Sequence, residues 1–466
     1  MDLKDKKFHA PQIARRRFLH NCGMAAGVTG AASVLCDLKM IGSAIAQGTP
    51  PSDYKAIVCL YLGGGNDGAN MVVPRTGSAY TRYAIDRSNL AIASGSLLPI
   101  TPATNDGRDW GLHPSMTEAQ ELFNDGNMAI VANVGTLLAP LTKAEWNEGS
   151  VAVPPQLFSH SDQTTQWQTS VPDSLDRTGW GGRMADATQA LNASGQISMS
   201  ISLNGTNVFQ VGTNTFQYHV SPWGGSVSLD GFRRWRNDGE AHYQGLRNIL
   251  NLSHESLFEQ AFADIMNRAI ANDELLSNSL DNSPEFEQFN DDGLGRQLEM
   301  IARLISIAGD LSMKRQIFFC RIGGFDTHGN QITPHANLMN ELSEGIGAFY
   351  SAMTQVGLQD QVTLFTASEF GRTFNSNGQG SDHGWGAPQL VVGGAVNGGD
   401  IYGTMPQMET DGPDDTRRGR WIPTLSVDEY SATLAKWFGV TQSDMPMVLP
   451  NLSRFATPDV GFMQPT

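Results

Sequence analysis

The chain has 466 residues, 40% of them hydrophobic and 17% charged, which is ample for a large buried core and excludes a disordered polymer. Its formal net charge of −16 repels nucleic acid and anionic lipid, so neither is an expected partner. Four cysteines offer neither a disulfide framework nor a zinc-type pairing.

The N-terminus carries Arg15-Arg16-Arg17-Phe18-Leu19, a twin-arginine pattern. A Gly/Ala-rich apolar run follows from about Cys22 to Leu35, and Ala44-Ile45-Ala46 offers a small-residue cleavage site. Residues 1–46 therefore read as a twin-arginine signal peptide. That predicts export of the folded chain by the twin-arginine machinery to the periplasm or the cell exterior. No later segment is long and apolar enough to span a bilayer. Removing the signal leaves 24 basic and 44 acidic residues, near −20. Cys22 and Cys36 leave with it. Cys59 and Cys320, each inside an apolar strand pattern, are expected as buried free thiols.

The mature chain, 47–466, opens on Tyr54–Leu62, a near-continuous apolar run typical of a strand buried on both faces. It enters Gly63-Gly64-Gly65-Asn66-Asp67-Gly68. This matches the dinucleotide pattern G-x-G-x-x-G in form only, because Met71-Val72-Val73-Pro74 follows where a phosphate-binding helix is required. A carboxylate at a strand end is better placed to hold a cation. Residues 75–112 show little pattern and are expected as loops and short turns. Ser115–Glu118 has the form of a capping box that opens a short helix closed by Gly126, and Met128–Val134 is the next buried strand. Strand, helix and strand alternate, the α/β signature.

Ser159–Trp167 is dense in bonding side chains. It reads either as a polar surface loop with N-cap candidates or as a loop that supplies a nucleophilic hydroxyl and a ligand. Residues 197–201 suggest one more core strand. The stretch 203–290 has hairpin-like and then polar helical composition, and reads as a cap-like insertion over one face of the core.

Leu294, Leu298, Ile301, Leu304 and Ile305 recur at helical spacing before the strand Gln316–Ile322. Thr333 and Pro334 suit the start of a helix whose stripe is Leu338, Leu342, Ile346, Phe349 and Met353. Gln361–Thr366 and Gln389–Gly394 read as further strands. Ser426–Glu429 is a second capping box, and Gly439 ends its helix.

The chemistry gathers where strands give out, as in open α/β sheets. The candidates are Asp67, Asp326, His328, Glu369, Asp382 and His383. Singly, each has an ordinary reading: a capping Asp, a His on a carbonyl, a Glu369–Arg372 pair. Together they argue for one metal-centred site. Mixed carboxylate and imidazole suits zinc or manganese, while a carboxylate-dominated set also admits calcium or magnesium. Arg372 and the Gly63–Gly65 amides are placed to neutralise an anionic substrate oxygen.

With these stretches in view, the chain resembles an exported bacterial family known as domain of unknown function 1501, distantly related to alkaline phosphatases and sulfatases. The matching pieces are Leu62–Pro74, Leu112-His113-Pro114, Ser159-His160, Phe325–Gln331, Ser368–Thr373, Asp382–Gly386 and Pro423–Asp428. The resemblance implies an alkaline-phosphatase-like three-layer α/β/α sandwich with a mostly parallel sheet. It also implies Asp67, Asp326, His328 and His383 as metal ligands, with Glu369-Phe370 where the superfamily carries an Asp-His pair. The sulfatase motif of Cys or Ser, then x-Pro-x-Arg, is absent, which leaves Ser161 or Thr164 as nucleophile.

The expected function is an exported metal-dependent hydrolase of phosphate or sulfate esters. Asp67, Asp326, His328, Asp382 and His383 would hold metal. Glu369 would be a ligand or base, Arg372 an anion clamp, and the substrate an anionic small molecule or polysaccharide ester. The alternative is a non-catalytic exported protein that keeps the fold for binding or surface assembly.

Overall fold

A computed structural model describes residues 53–465 except 175–176, 193–194, 227–238 and 254–255. The signal-peptide reading of 1–46, with Cys22 and Cys36, lies outside the described residues. In chain order the strands are β1 (Lys55–Leu62), β2 (Val72–Pro74), β3 (Leu98–Ile100), β4 (Trp110–Leu112), β5 (Met128–Gly135), β6 (Ser200–Ser202), β7 (Tyr218–Ser221), β8 (Gly225–Ser226), β9 (Arg315–Ile322), β10 (Val362–Ala367), β11 (Ala387–Val392), β12 (Ile401–Tyr402) and β13 (Leu425–Ser426).

Ten of them form one sheet in the spatial order β12-β5-β11-β10-β1-β9-β6-β7-β8, with β13 also on β5. β1 lies at its centre, parallel to β10 on one side and to β9 on the other. β11 is antiparallel to both β10 and β5, and β7 extends the sheet in parallel beyond β6. The small strands β2, β4 and β3 make a separate antiparallel sheet.

The apolar run of β1 is continuous because the strand is covered twice. Ala56, Val58, Leu60 and Leu62 point into one core, shared with the helices Thr117–Asn124, Gly293–Ser306 and Ile332–Gln355. Ile57, Cys59 and Tyr61 point into a second core, shared with Trp180–Thr188 and Val427–Phe438. The result is a three-layer α/β/α sandwich around a mostly parallel sheet. Cys59 and Cys320 are both free and buried. They belong to opposite cores, so the sheet itself stands between the two thiols.

Several local readings need correcting. Residues 75–112 contain the helix Gly77–Arg87, of which only Tyr83 and Arg87 are buried. The Ser115–Glu118 capping box is not formed: the helix starts at Thr117, and Glu118 accepts instead from Ser343 Oγ at 2.7 Å. The Ser426–Glu429 box is formed in both directions, and Gly439 closes its helix at φ 116°. The helix around Pro334 begins at Ile332, so Pro334 sits in the first turn, where its missing N–H costs nothing. Ser159–Trp167 is mostly helical, within His160–Thr169.

In the stretch 203–290, β7 and β8 form a hairpin at the sheet edge. The helices Gly239–Leu250 and Leu257–Leu280 share a small cluster of Leu250, Ala263 and Ile270. Among the described residues no helix is long and apolar enough to cross a membrane.

Candidate metal centre

Strand direction brings the chemistry to one edge. β1, β9 and β10 run parallel and end together, delivering Gly63–Asp67, Asp326 with His328, and Glu369 with Arg372. β11 runs the other way, so its first residue, Ala387, lies on that same edge, and His383 stands just before it. β5 also ends there, and the chain beyond it reaches His160, the first residue of its helix.

Three imidazoles converge on one carboxylate oxygen. Asp326 Oδ1 is 3.1 Å from His328 Nε2, 3.4 Å from His383 Nε2 and 3.5 Å from His160 Nε2. Ligand atoms of His160, Asp326 and His383 all lie within 4.8 Å of one another.

The opposite ring nitrogens fix the tautomers. His383 Nδ1 is 2.6 Å from Phe158 O, which can only accept. His160 Nδ1 is 2.9 Å from Glu369 Oε1, and His328 Nδ1 is 3.1 Å from Asp382 Oδ1. Each Nδ1 thus donates to a fixed acceptor and each Nε2 keeps a bare lone pair. His328 Nε2 and His383 Nε2 face each other at 2.9 Å, and buried His160 Nε2 makes no hydrogen bond. Four acceptors with no proton among them repel one another unless a cation sits between them. Protonation is not the easy remedy: burial first, then the nearby charges of His160, Arg372 and His328, lower the His383 pKa. Burial works upward on Asp326, but the hydrogen bond and charge of Arg372 hold its carboxyl below the usual range.

The glycines before the site answer to packing, not to phosphate. A side chain at Gly63 would strike the Arg321 guanidinium at 2.6 Å, and one at Gly65 (φ 83°) the Phe370 ring at 2.5 Å. One at Gly64 (φ 122°) would collide with the backbone nitrogen of Asp326. Gly64→Ala is expected to cost more than about 2 kcal/mol in urea unfolding, because backbone strain and a backbone collision coincide there. The Gly63 and Gly64 amides do not form the expected anion cradle: they donate to Ile322 O at 2.8 Å and Glu369 Oε1 at 2.9 Å.

Of the residues singled out in the sequence, Asp326, His328 and His383 meet. Asp382 stands behind His328, where it also accepts from Arg418 Nη1 at 2.6 Å. Glu369 is buried behind His160. The Arg372 side chain is fully buried, donating to Asp326 Oδ1 at 2.8 Å, Gly64 O at 3.1 Å and Ser381 O, so it stands as a countercharge to Asp326. Phe370 stacks on His383 with centroids 4.7 Å apart and forms a wall.

Ser161 is exposed and bonds Asp162 and Ser159. Thr164 accepts from the Tyr61 hydroxyl at 3.1 Å. Neither bonds the cluster. Asp67 is not in it either: fully buried, it pairs with Arg87 and accepts from Gln331. The site residue that sequence reasoning left undesignated is His160. The signal was there in Ser159-His160, an imidazole in a chain with only ten.

Beside Asp67 lie two buried histidines, His113 and His335. Burial lowers both pKa values to about 4; the charge of His335 adds to this at His113, those of Arg87 and Arg372 at His335, and Asp67 works against it at both. His335 Nε2 is 3.2 Å from Asn66 Oδ1. An unfolded chain binds these protons near pH 6.5 and the fold refuses them until about pH 4. Stability they support is therefore present above pH 6.5 and lost as pH falls through that window, up to about 3 kcal/mol each. Unfolding free energies measured from pH 7.5 to 4.5 with the cation chelated should fall accordingly, and His335→Gln should flatten the decline.

Residues 54–418 match a family described as protein of unknown function, DUF1501. No curated protein matches the chain in sequence. Solved structures with partial likeness include the PsFucS1 sulfatase from Pseudoalteromonas sp., at 9% identity over 89% of this chain and 74% of that one, with a TM-score of 0.36. The soluble domain of lipooligosaccharide phosphoethanolamine transferase A from Neisseria meningitidis matches at 8% identity over 90% and 96%, with a TM-score of 0.33. The phosphonate monoester hydrolase SpPMH from Silicibacter pomeroyi matches at 6% over 85% and 77%, with a TM-score of 0.34.

Proposed function

The chain belongs to the DUF1501 family, and we propose that it is an exported, metal-dependent hydrolase of phosphate or sulfate esters. One observation carries the reading: three Nε2 lone pairs and a carboxylate oxygen converge at the carboxyl edge of the sheet. The motif resemblance to alkaline phosphatases and sulfatases, together with the twin-arginine pattern, supports the ester chemistry and the export.

His160, His328, His383 and Asp326 would hold the cation. Three imidazoles with one carboxylate suit zinc, manganese or iron rather than calcium or magnesium. A bound divalent cation supplies Lewis acidity toward an ester oxygen and a water. The protein's own groups orient and exclude. Glu369, Asp382 and Phe158 O hold each Nδ1–H and so keep each Nε2 lone pair aimed inward. Arg372 balances Asp326. Phe370 keeps water from one side of His160 and His383. No described hydroxyl bonds the cluster, so water is the nucleophile this geometry favours. That same observation supports the second reading, a non-catalytic exported binding protein.

Metal analysis of the purified mature chain, before and after chelation, decides between them when joined to hydrolysis of aryl phosphates and sulfates with zinc, manganese, iron or calcium restored. Sustained turnover that disappears on chelation and returns with one ion is expected. A chain that holds stoichiometric metal and turns over none of these esters leaves the binding reading standing.

A further inference from the structure

The rim of the centre is basic on both sides although the chain as a whole is acidic. On the β9 side stands Arg321, exposed, its backbone fixed by Gln297 through both N and O. Its guanidinium lies against Gly63, whose neighbour Gly64 bonds both Glu369 and Arg372. No hydrogen bond or ion pair engages the Arg321 side chain among the described residues.

On the β11 side lies the turn Arg417-Arg418-Gly419-Arg420. Arg418 donates to Asp382, and Arg420 donates to His383 O at 2.8 Å and lies over Phe158. Arg417 on that turn is exposed, without a side-chain partner among the described residues, and close enough that its charge lowers the Arg420 pKa after burial and Arg418. β9 and β11 are three strand spacings apart in the sheet, roughly 14 Å, with the cation site between them. Beyond β9 on the same edge, at the end of β7, Trp223 is 69% exposed, with the Arg296 guanidinium 4.2 Å from its ring centroid on one face and the opposite face left for a ligand.

Strands that far apart suit an extended ligand better than a small ester. We propose that the centre takes a polyanionic saccharide chain laid along the carboxyl edge of the sheet, with the reacting ester at the cation, acidic substituents at Arg321 and Arg417, and a sugar ring on Trp223. This rests on the ester-hydrolase reading for its reacting group, but the flanking contacts are testable without turnover.

The experiment is calorimetric titration of the mature chain with a chondroitin sulfate hexasaccharide, a neutral hexasaccharide of glucose and a ten-residue oligothymidylate. The wild type is compared with Arg321→Ala, Arg417→Ala, Trp223→Ala and Asp326→Ala. The sulfated hexasaccharide is expected to bind with a salt-dependent affinity, weakened about tenfold by each arginine change and a few-fold by Trp223→Ala. Asp326→Ala, with the cation lost, is expected to keep the arginine dependence. Were turnover absent while that dependence held, only the hydrolase reading would fail. Equal binding of the neutral sugar or of the oligonucleotide, or arginine variants indistinguishable from wild type, would overturn the proposal.

Discussion

Asp326→Ala, and separately His383→Ala, should empty the centre: metal content of the purified chain is expected to fall from near one equivalent to under a tenth, and ester hydrolysis by about 10³-fold or more. The size of the effect follows from the geometry. Among the described residues, Asp326 Oδ1 is the one atom that all three Nε2 positions share, and it supplies the only anionic charge in direct contact with them. Without it, three neutral imidazoles face one another with nothing to balance a dication. Without His383, the 2.9 Å Nε2–Nε2 approach that defines the cation's place is gone. Ser161→Ala serves as comparison. Its hydroxyl bonds Asp162 and Ser159 and no atom of the cluster, so a change below twofold is expected. Normal metal content in both Asp326→Ala and His383→Ala would refute the centre.

Arg87→Met is expected to destabilise the fold by about 3–5 kcal/mol without touching the proposed ligands, read as urea-unfolding free energy. Arg87 and Asp67 are both fully buried and form a direct ion pair. The arginine also donates to Asn70 Oδ1 at 3.2 Å and to Thr373 O and Phe374 O at 3.2 and 3.0 Å. Truncation leaves a fully buried carboxylate with, among the described residues, only Gln331 to donate to it. The double variant Arg87→Met with Asp67→Asn should recover much of the loss, since the uncompensated charge goes too. Metal content of Asp67→Asn also decides whether Asp67 belongs to the centre. On this geometry it stays unchanged.

The strands were legible because double burial leaves long apolar runs, as in Tyr54–Leu62. The gathering of Asp326, His328 and His383 was legible because open sheets expose loop chemistry at one edge. Two elements escaped for a shared reason. The helix Gly77–Arg87 buries only Tyr83 and Arg87, and the helix His160–Thr169 turns Gln163, Gln166 and Gln168 inward beside Trp167. Apolar periodicity is blind to a helix whose buried face is polar, and those two helices carry Arg87 and His160. Sequence spacing also gave no means to separate a ligand from the group behind it. Asp382 and His383 are neighbours in the chain, yet one steers an imidazole and the other is itself a candidate ligand.

The central strand has a temporal consequence. β1 pairs with β9 at Lys55–Arg315 and with β10 at Ala56–Val362. During synthesis at about 5–20 residues per second, this hydrophobic ribbon emerges roughly 13–52 s before either neighbour exists. Through that interval its unpaired edges invite association with other nascent chains, so production yield should depend on chaperone supply more than on the final stability of the sandwich.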